Sequence, residues 1–213
     1  MEYFVYLSDA KIEMLFEQIQ PKSRGKLVGE IEFNLALFRA KFNTASIEET
    51  RYEKIHVIEN HLRRTIGTID SPGKYFAGTL DMAWGPYEGY EEMVYFSCAT
   101  PEVVVGLGGS MYNCIPNPLA RPTTTTSFSL SSRLVAALVR RKEIHLSWGG
   151  LGRHFSNADV NSDALSAIVQ SAIRYGLPHQ RLKFLAKTVL SGYDEHTGKS
   201  ALLGTPIYVA LAE

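Results

Sequence analysis

The sequence predicts an α+β fold: a single domain over residues 1–213, built on a largely antiparallel sheet covered by helices, with its first and last strands central. Three observations predict it. Tyr3–Leu7 and Pro206–Leu211 are apolar at successive positions, the pattern of strands buried on both faces. Between them, three apolar runs follow one another too closely for crossover helices, which implies an antiparallel meander. Several longer stretches repeat apolar residues at helical spacing.

Along the chain, Ser8 and Asp9 follow the first strand as a cap and an acidic first-turn residue, and Ile12, Leu15, Phe16 and Ile19 give a helical stripe that Pro21 ends. A second strand alternates from Ile31 to Leu37 and changes phase at Phe38, as a β-bulge would make it. Ser46 and Glu49 have capping-box spacing, and Tyr52, Ile55, Ile58, Leu62 and Ile66 form the stripe of a second helix. The meander comprises Phe76–Trp84, Met93–Cys98 and Val103–Gly108. A long irregular stretch, Asn113–Ser129, carries Pro116, Pro118, Pro122 and a threonine run, and loops of that length tend to be functional or mobile. Helices are expected over Leu130–Lys142, Ser162–Tyr175 and Pro178–Leu190, and a strand over Pro206–Ala212.

Composition limits the function classes. Lys+Arg and Asp+Glu both total 22, so no general field attracts a polyanion, and no nucleic-acid partner is expected. The longest apolar runs fall far short of the roughly 20 residues that cross a bilayer, so no membrane association is expected. The N-terminal residues lack the features of a secretory signal, and Cys98 and Cys114 sit in apolar surroundings, which together point to the cytoplasm. A homo-oligomer is compatible with the sequence.

Motifs that carry known chemistry are missing or out of context. Gly192–Ser200 approaches a phosphate-binding loop, but five residues separate its glycines where that loop needs four. Ser8 and Lys11 match a Ser-x-x-Lys pair without the companion motifs of the acyl-enzymes that use it. His56, His61, His145, His154, His179 and His196 include no i, i+4 pair, and no Cys-x-x-Cys occurs, so no metal site is expected. No motif names a cofactor.

Two candidate sites emerge. Gly106, Gly108 and Gly109 interrupt a strand, which implies close approach by another backbone or by a ligand, and Ser110, Tyr112 and Asn113 follow with hydroxyl and amide groups. Trp148, Arg153 and His154 combine an aromatic face, a permanent cation and a titratable ring within a glycine-rich stretch. With Arg121, these residues suit a small anionic or strongly polar ligand. The preferred expectation is therefore a ligand-binding, sensor- or effector-type domain. A hydrolase or transferase using Ser110 with His154 is a second reading, and a protein-interaction domain exploiting the 11 Tyr and 10 Phe is a third.

Blocks at Tyr6–Lys11, Gly106–Ser110, Phe184–Lys187 and Leu202–Leu211 resemble an uncharacterised bacterial family, mainly actinobacterial, known as a domain of unknown function. The most distinctive is the terminal Leu202-Leu203-Gly204-Thr205-Pro206-Ile207-Tyr208-Val209-Ala210-Leu211. The resemblance implies one indivisible domain and supplies no activity or catalytic residue.

Overall fold

The computed structural model describes residues 2–19, 50–87, 90–115, 165–169, 179–194 and 197–213. The chain divides into two compact units, Met1–Leu7 with Ile66–Glu213, and Ser8–Thr65. In the smaller unit, helix α1 (Asp9–Gln18) buries Ile12, Leu15 and Phe16, and helix α2 (Arg51–Leu62) buries Ile55, Val57, Ile58 and Leu62. Ser8 is the N-cap of α1, as expected, although its side chain makes no capping bond. The cap of α2 is Thr50 rather than Ser46. Glu53 N donates to Thr50 Oγ1 at 3.3 Å while Thr50 N donates to Glu53 Oε2 at 2.8 Å, completing a capping box. Lys54 Nζ joins the helices through Glu13 at 2.7 Å and lies 5.5 Å from the centroid of the Phe16 ring. The bulge expected at Phe38 and the helix expected over Leu130–Lys142 lie outside the described residues.

The larger unit is a seven-stranded sheet closed into a barrel. Its strands are β1 (Tyr3–Leu7), β2 (Ile66–Gly67), β3 (Tyr75–Tyr87), β4 (Tyr90–Ala99), β5 (Val103–Ser110), β6 (Gln180–Asp194) and β7 (Lys199–Leu211). β3, β4 and β5 form the expected antiparallel meander. The ring closes because β6 pairs antiparallel with both β3 and β7, while β7 also runs parallel to β5. The α+β class thus holds in part: helices and one mostly antiparallel sheet are present, but the sheet closes on itself.

Two terminal-strand expectations separate here. β7 is central, since β6 lines one edge while β5 and then β1 line the other. β1 is not central: it ends the strand order beside β7, although Val5, Tyr6 and Leu7 are buried. Its outer edge is met by Cys114, bridged to Tyr6, and by Ile115 N, which donates to Val5 O at 2.9 Å. β7 also starts at Lys199, ahead of the expected Pro206.

The helix expected over Pro178–Leu190 is strand β6. Leu182, Phe184 and Ala186 alternate into the core, and register shifts fall between Leu185 and Ala186 and between Thr188 and Leu190. Those bulges break strict alternation and leave a spacing that imitates a helix. Of the Gly192–Ser200 segment, Gly192–Asp194 end β6, Thr197 and Gly198 are in a turn with Gly198 at φ 69°, and Lys199–Ser200 begin β7. Asp194, only 3% exposed, accepts from Thr197 Oγ1 at 2.6 Å and from Ser166 Oγ at 3.0 Å. This carboxylate therefore ties the turn to the helical residues 165–169.

Inside the barrel, Phe76, Met82, Phe96, Leu107, Phe184 and Val209 pack in one cluster with Tyr6. The opposite face of β4, β5 and β7 carries Met93, Tyr95, Val104 and Leu203, packed with Leu165, Ile168 and Val169. Leu165, Ile168 and Val169 are thus buried, as their helical spacing predicted. Two of the three β5 glycines, Gly106 and Gly109, lie under tyrosine side chains on opposite faces. A Cβ on Gly106 would collide with the Tyr95 hydroxyl, and one on Gly109 with the Tyr6 hydroxyl and ring. Gly109→Ala should accordingly destabilise the protein by about 1–3 kcal/mol through overpacking, read as a lower urea midpoint. In a Tyr6→Ala background the same substitution should cost much less; an equal cost in both backgrounds would show that the ring is not what excludes a side chain.

Candidate functional site

The first candidate site is brought together at the end of β5. After Leu107, the last β5 residue paired with β7, the chain runs through Ser110 into a 3-10 helix, Met111–Asn113. Tyr112 Oη donates to Glu92 Oε1 at 3.4 Å on β4, and Asn113 Nδ2 donates to Tyr6 Oη at 3.1 Å on β1. The short helix therefore reaches toward two different strands of the barrel. Tyr112, Asn113 and Glu92 are all half-buried, whereas Tyr6 is fully buried.

The close approach inferred from the glycines is real, but its agents are tyrosine rings of the same chain. Tyr6 occupies the space over Gly109 and Tyr95 the space over Gly106, while Gly108 is the ladder partner of Tyr95. Ser110 is 4% exposed and pairs with Met93 across the same ladder, an enclosed position for a nucleophile. Arg121, Trp148, Arg153 and His154 lie outside the described residues, so the second candidate site does too. Glu92 and Tyr6 were not singled out in the sequence. One available signal was that no lysine, arginine or histidine occurs between Lys74 and Arg121, while Asp81, Glu88, Glu91, Glu92 and Glu102 do.

The electrostatics at this end are those of a carboxylate beside a phenol. Partial desolvation, and then the charge and hydrogen bond of Glu92, push the Tyr112 phenol above its ordinary value. Nearby in sequence, burial pushes the Cys114 thiol up to about 12. Cys98 is also raised, by burial first and by the charge of Asp81 second. Both cysteines are free, buried thiols, as their apolar surroundings predicted. Among the described residues, no group of three or more His, Cys, Asp or Glu assembles as a metal ion would need.

On another part of the barrel, Trp84 stacks on Phe96 with ring centroids 5.5 Å apart, and Trp84 Nε1 donates to Gln180 Oε1 at 2.7 Å. His179 Nδ1 is 3.3 Å from Asp81 O, and Arg181 lies 3.8 Å from the Asp81 carboxylate. These contacts hold the start of β6 against β3.

Raised pKa values carry a definite sign. Tyr112 is neutral in both states at low pH; above about pH 10 the unfolded chain ionises first, so stability falls as pH rises through the higher folded pKa. Glu92→Gln should lower the Tyr112 pKa, followed as an ultraviolet difference titration against Tyr112→Phe. An unchanged titration in Glu92→Gln would separate the two groups electrostatically. Cys114, for its part, should resist thiol reagents near pH 8 until the protein is unfolded, and rapid labelling of the native protein would contradict its burial.

Among the described residues no helix is long and apolar enough to cross a membrane. Comparisons with curated proteins and with solved structures returned no match. The family described as a family of unknown function (DUF7019) matches residues 2–213, nearly the whole chain, and the protein belongs to that family.

Proposed function

We propose that the barrel unit is a small-ligand-binding domain, and that its site is the end of β5 where the 3-10 helix meets β4 and β1. The observation that carries this reading is the set of half-buried acceptors there. A carboxylate offers about four lone-pair positions, and among the described residues Glu92 accepts one long hydrogen bond, 3.4 Å from Tyr112. Asn113 commits its Nδ2 to Tyr6, which turns its amide carbonyl into a further acceptor for an incoming group. A polar ligand donating N–H or O–H groups to Glu92 and Asn113 would satisfy both.

This reading keeps the polar-ligand expectation from the sequence, in a cytoplasmic protein of bacterial origin. The expectation that Arg121, Arg153 and His154 bind an anionic part of a ligand concerns residues outside those described. Enzymatic use of Ser110 is less well supported, because a hydroxyl held within the β4–β5 ladder at 4% exposure is hard for a substrate to reach.

The test is a thermal-shift screen of sugars, amino acids, amines, nucleotides and sugar phosphates. A stabilising compound should lose most of its shift in Asn113→Ala, and a compound at this site should protect Tyr112 from iodination. A shift unchanged in both Asn113→Ala and Glu92→Gln would place the ligand elsewhere and overturn the assignment.

A further inference from the structure

Resting on that site, we infer that the ligand it recognises carries a protonated amine or guanidinium. Three observations set the sign of the charge. First, Glu92 is half-buried, yet among the described residues no lysine, arginine or histidine lies within ion-pair distance of it. Elsewhere among the described residues, Asp9 faces Arg51 at 3.7 Å and Glu59 faces His56 at 3.6 Å, while Glu53 accepts the Thr50 N–H of its capping box at 2.8 Å. A partly desolvated carboxylate whose one hydrogen bond among the described residues is a long 3.4 Å contact from a phenol has acceptor capacity to spare, and a cation would fill it.

Second, the second polar group, the Asn113 side chain, presents an acceptor once its Nδ2 is bonded to Tyr6. An ammonium has three donors and a guanidinium five, so either can engage Glu92 and Asn113 together. An anion would meet like charge at Glu92, with the second N–H of the Asn113 amide as the donor left to it at these two groups. Third, the polypeptide that builds β3, β4, β5 and the 3-10 helix contains no basic residue between Lys74 and Arg121. That stretch carries five carboxylates and no cation, although the whole chain is neutral, with formal net charge +0. The aromatic ring of Tyr112, hydrogen-bonded to Glu92, supplies an adjacent face suited to a cation.

Isothermal titration of the full-length protein with matched probes tests this. 1,4-Diaminobutane and agmatine supply the ammonium and guanidinium, 1,4-butanediol supplies the same chain uncharged, and succinate supplies an anion. The amines should bind, with affinity falling as salt rises, and Glu92→Gln should weaken them by about tenfold or more while its melting temperature confirms folding. Tyr112→Phe, which keeps the carboxylate, should retain amine binding. Equal binding of diaminobutane and butanediol, both lost in Asn113→Ala, would overturn the cation assignment while leaving the polar-ligand site in place. Binding of succinate but not of the amines would overturn the cation assignment in favour of the arginines. If the amines bind with affinity unchanged in both Glu92→Gln and Asn113→Ala, the cation site is not at β5, and failure of every probe to bind would also count against the assignment.

Discussion

β7 is hydrogen-bonded along both edges, and the barrel unit depends on that double pairing. β6 accompanies it from Lys199 to Leu211, while the other edge is shared in sequence by β5, over Ser200–Gly204, and by β1, over Tyr208–Leu211. Residues 201–210 are buried without interruption, as a strand covered on two faces requires. A strand used this way leaves few unpaired backbone groups at the seam, which is the advantage of a closed sheet over an open one.

The sharing of that edge also shapes the candidate site. β5 leaves β7 after Leu107, and β1 takes its place beside Tyr208. This handover brings Tyr6 over Gly109 and sends the chain into the 3-10 helix that carries Tyr112 and Asn113. The register of β1 shifts between Phe4 and Tyr6, and in the same stretch the Val5 carbonyl accepts from Ile115 N. Packing and site are thus consequences of one topological event: the ring that fills the gap over Gly109 also receives the hydrogen bond that fixes Asn113.

Much of this was legible in residues that act locally. The unbroken apolar run ending at Leu211 announced a doubly covered strand, and the close spacing of β3, β4 and β5 announced a meander. β6 was not legible because bulges near Ala186 and Val189 bring Leu182, Leu185, Ala186, Val189 and Leu190 to helical spacing, and only pairing with β3 and β7 decides between the periods. The position of β1 at the end of the strand order was hidden for a related reason: burial on both faces does not reveal which edge is paired. For the candidate site, Gly109 signalled a close approach, but the approaching group, Tyr6, lies far away in sequence. Glu92 gave no motif of its own, since a single carboxylate acquires meaning only when its neighbours are known.

The central claim is that β7 closes the barrel and therefore opens only when the unit unfolds as a whole. Native-state amide hydrogen exchange across Leu202–Ala210 tests it most directly. The closed topology predicts that these amides exchange with the free energy of global unfolding and share its denaturant dependence. Exchange at a markedly lower free energy, while β3 and β4 stay protected, would mean that β7 can detach from a barrel that persists without it, and would contradict the account.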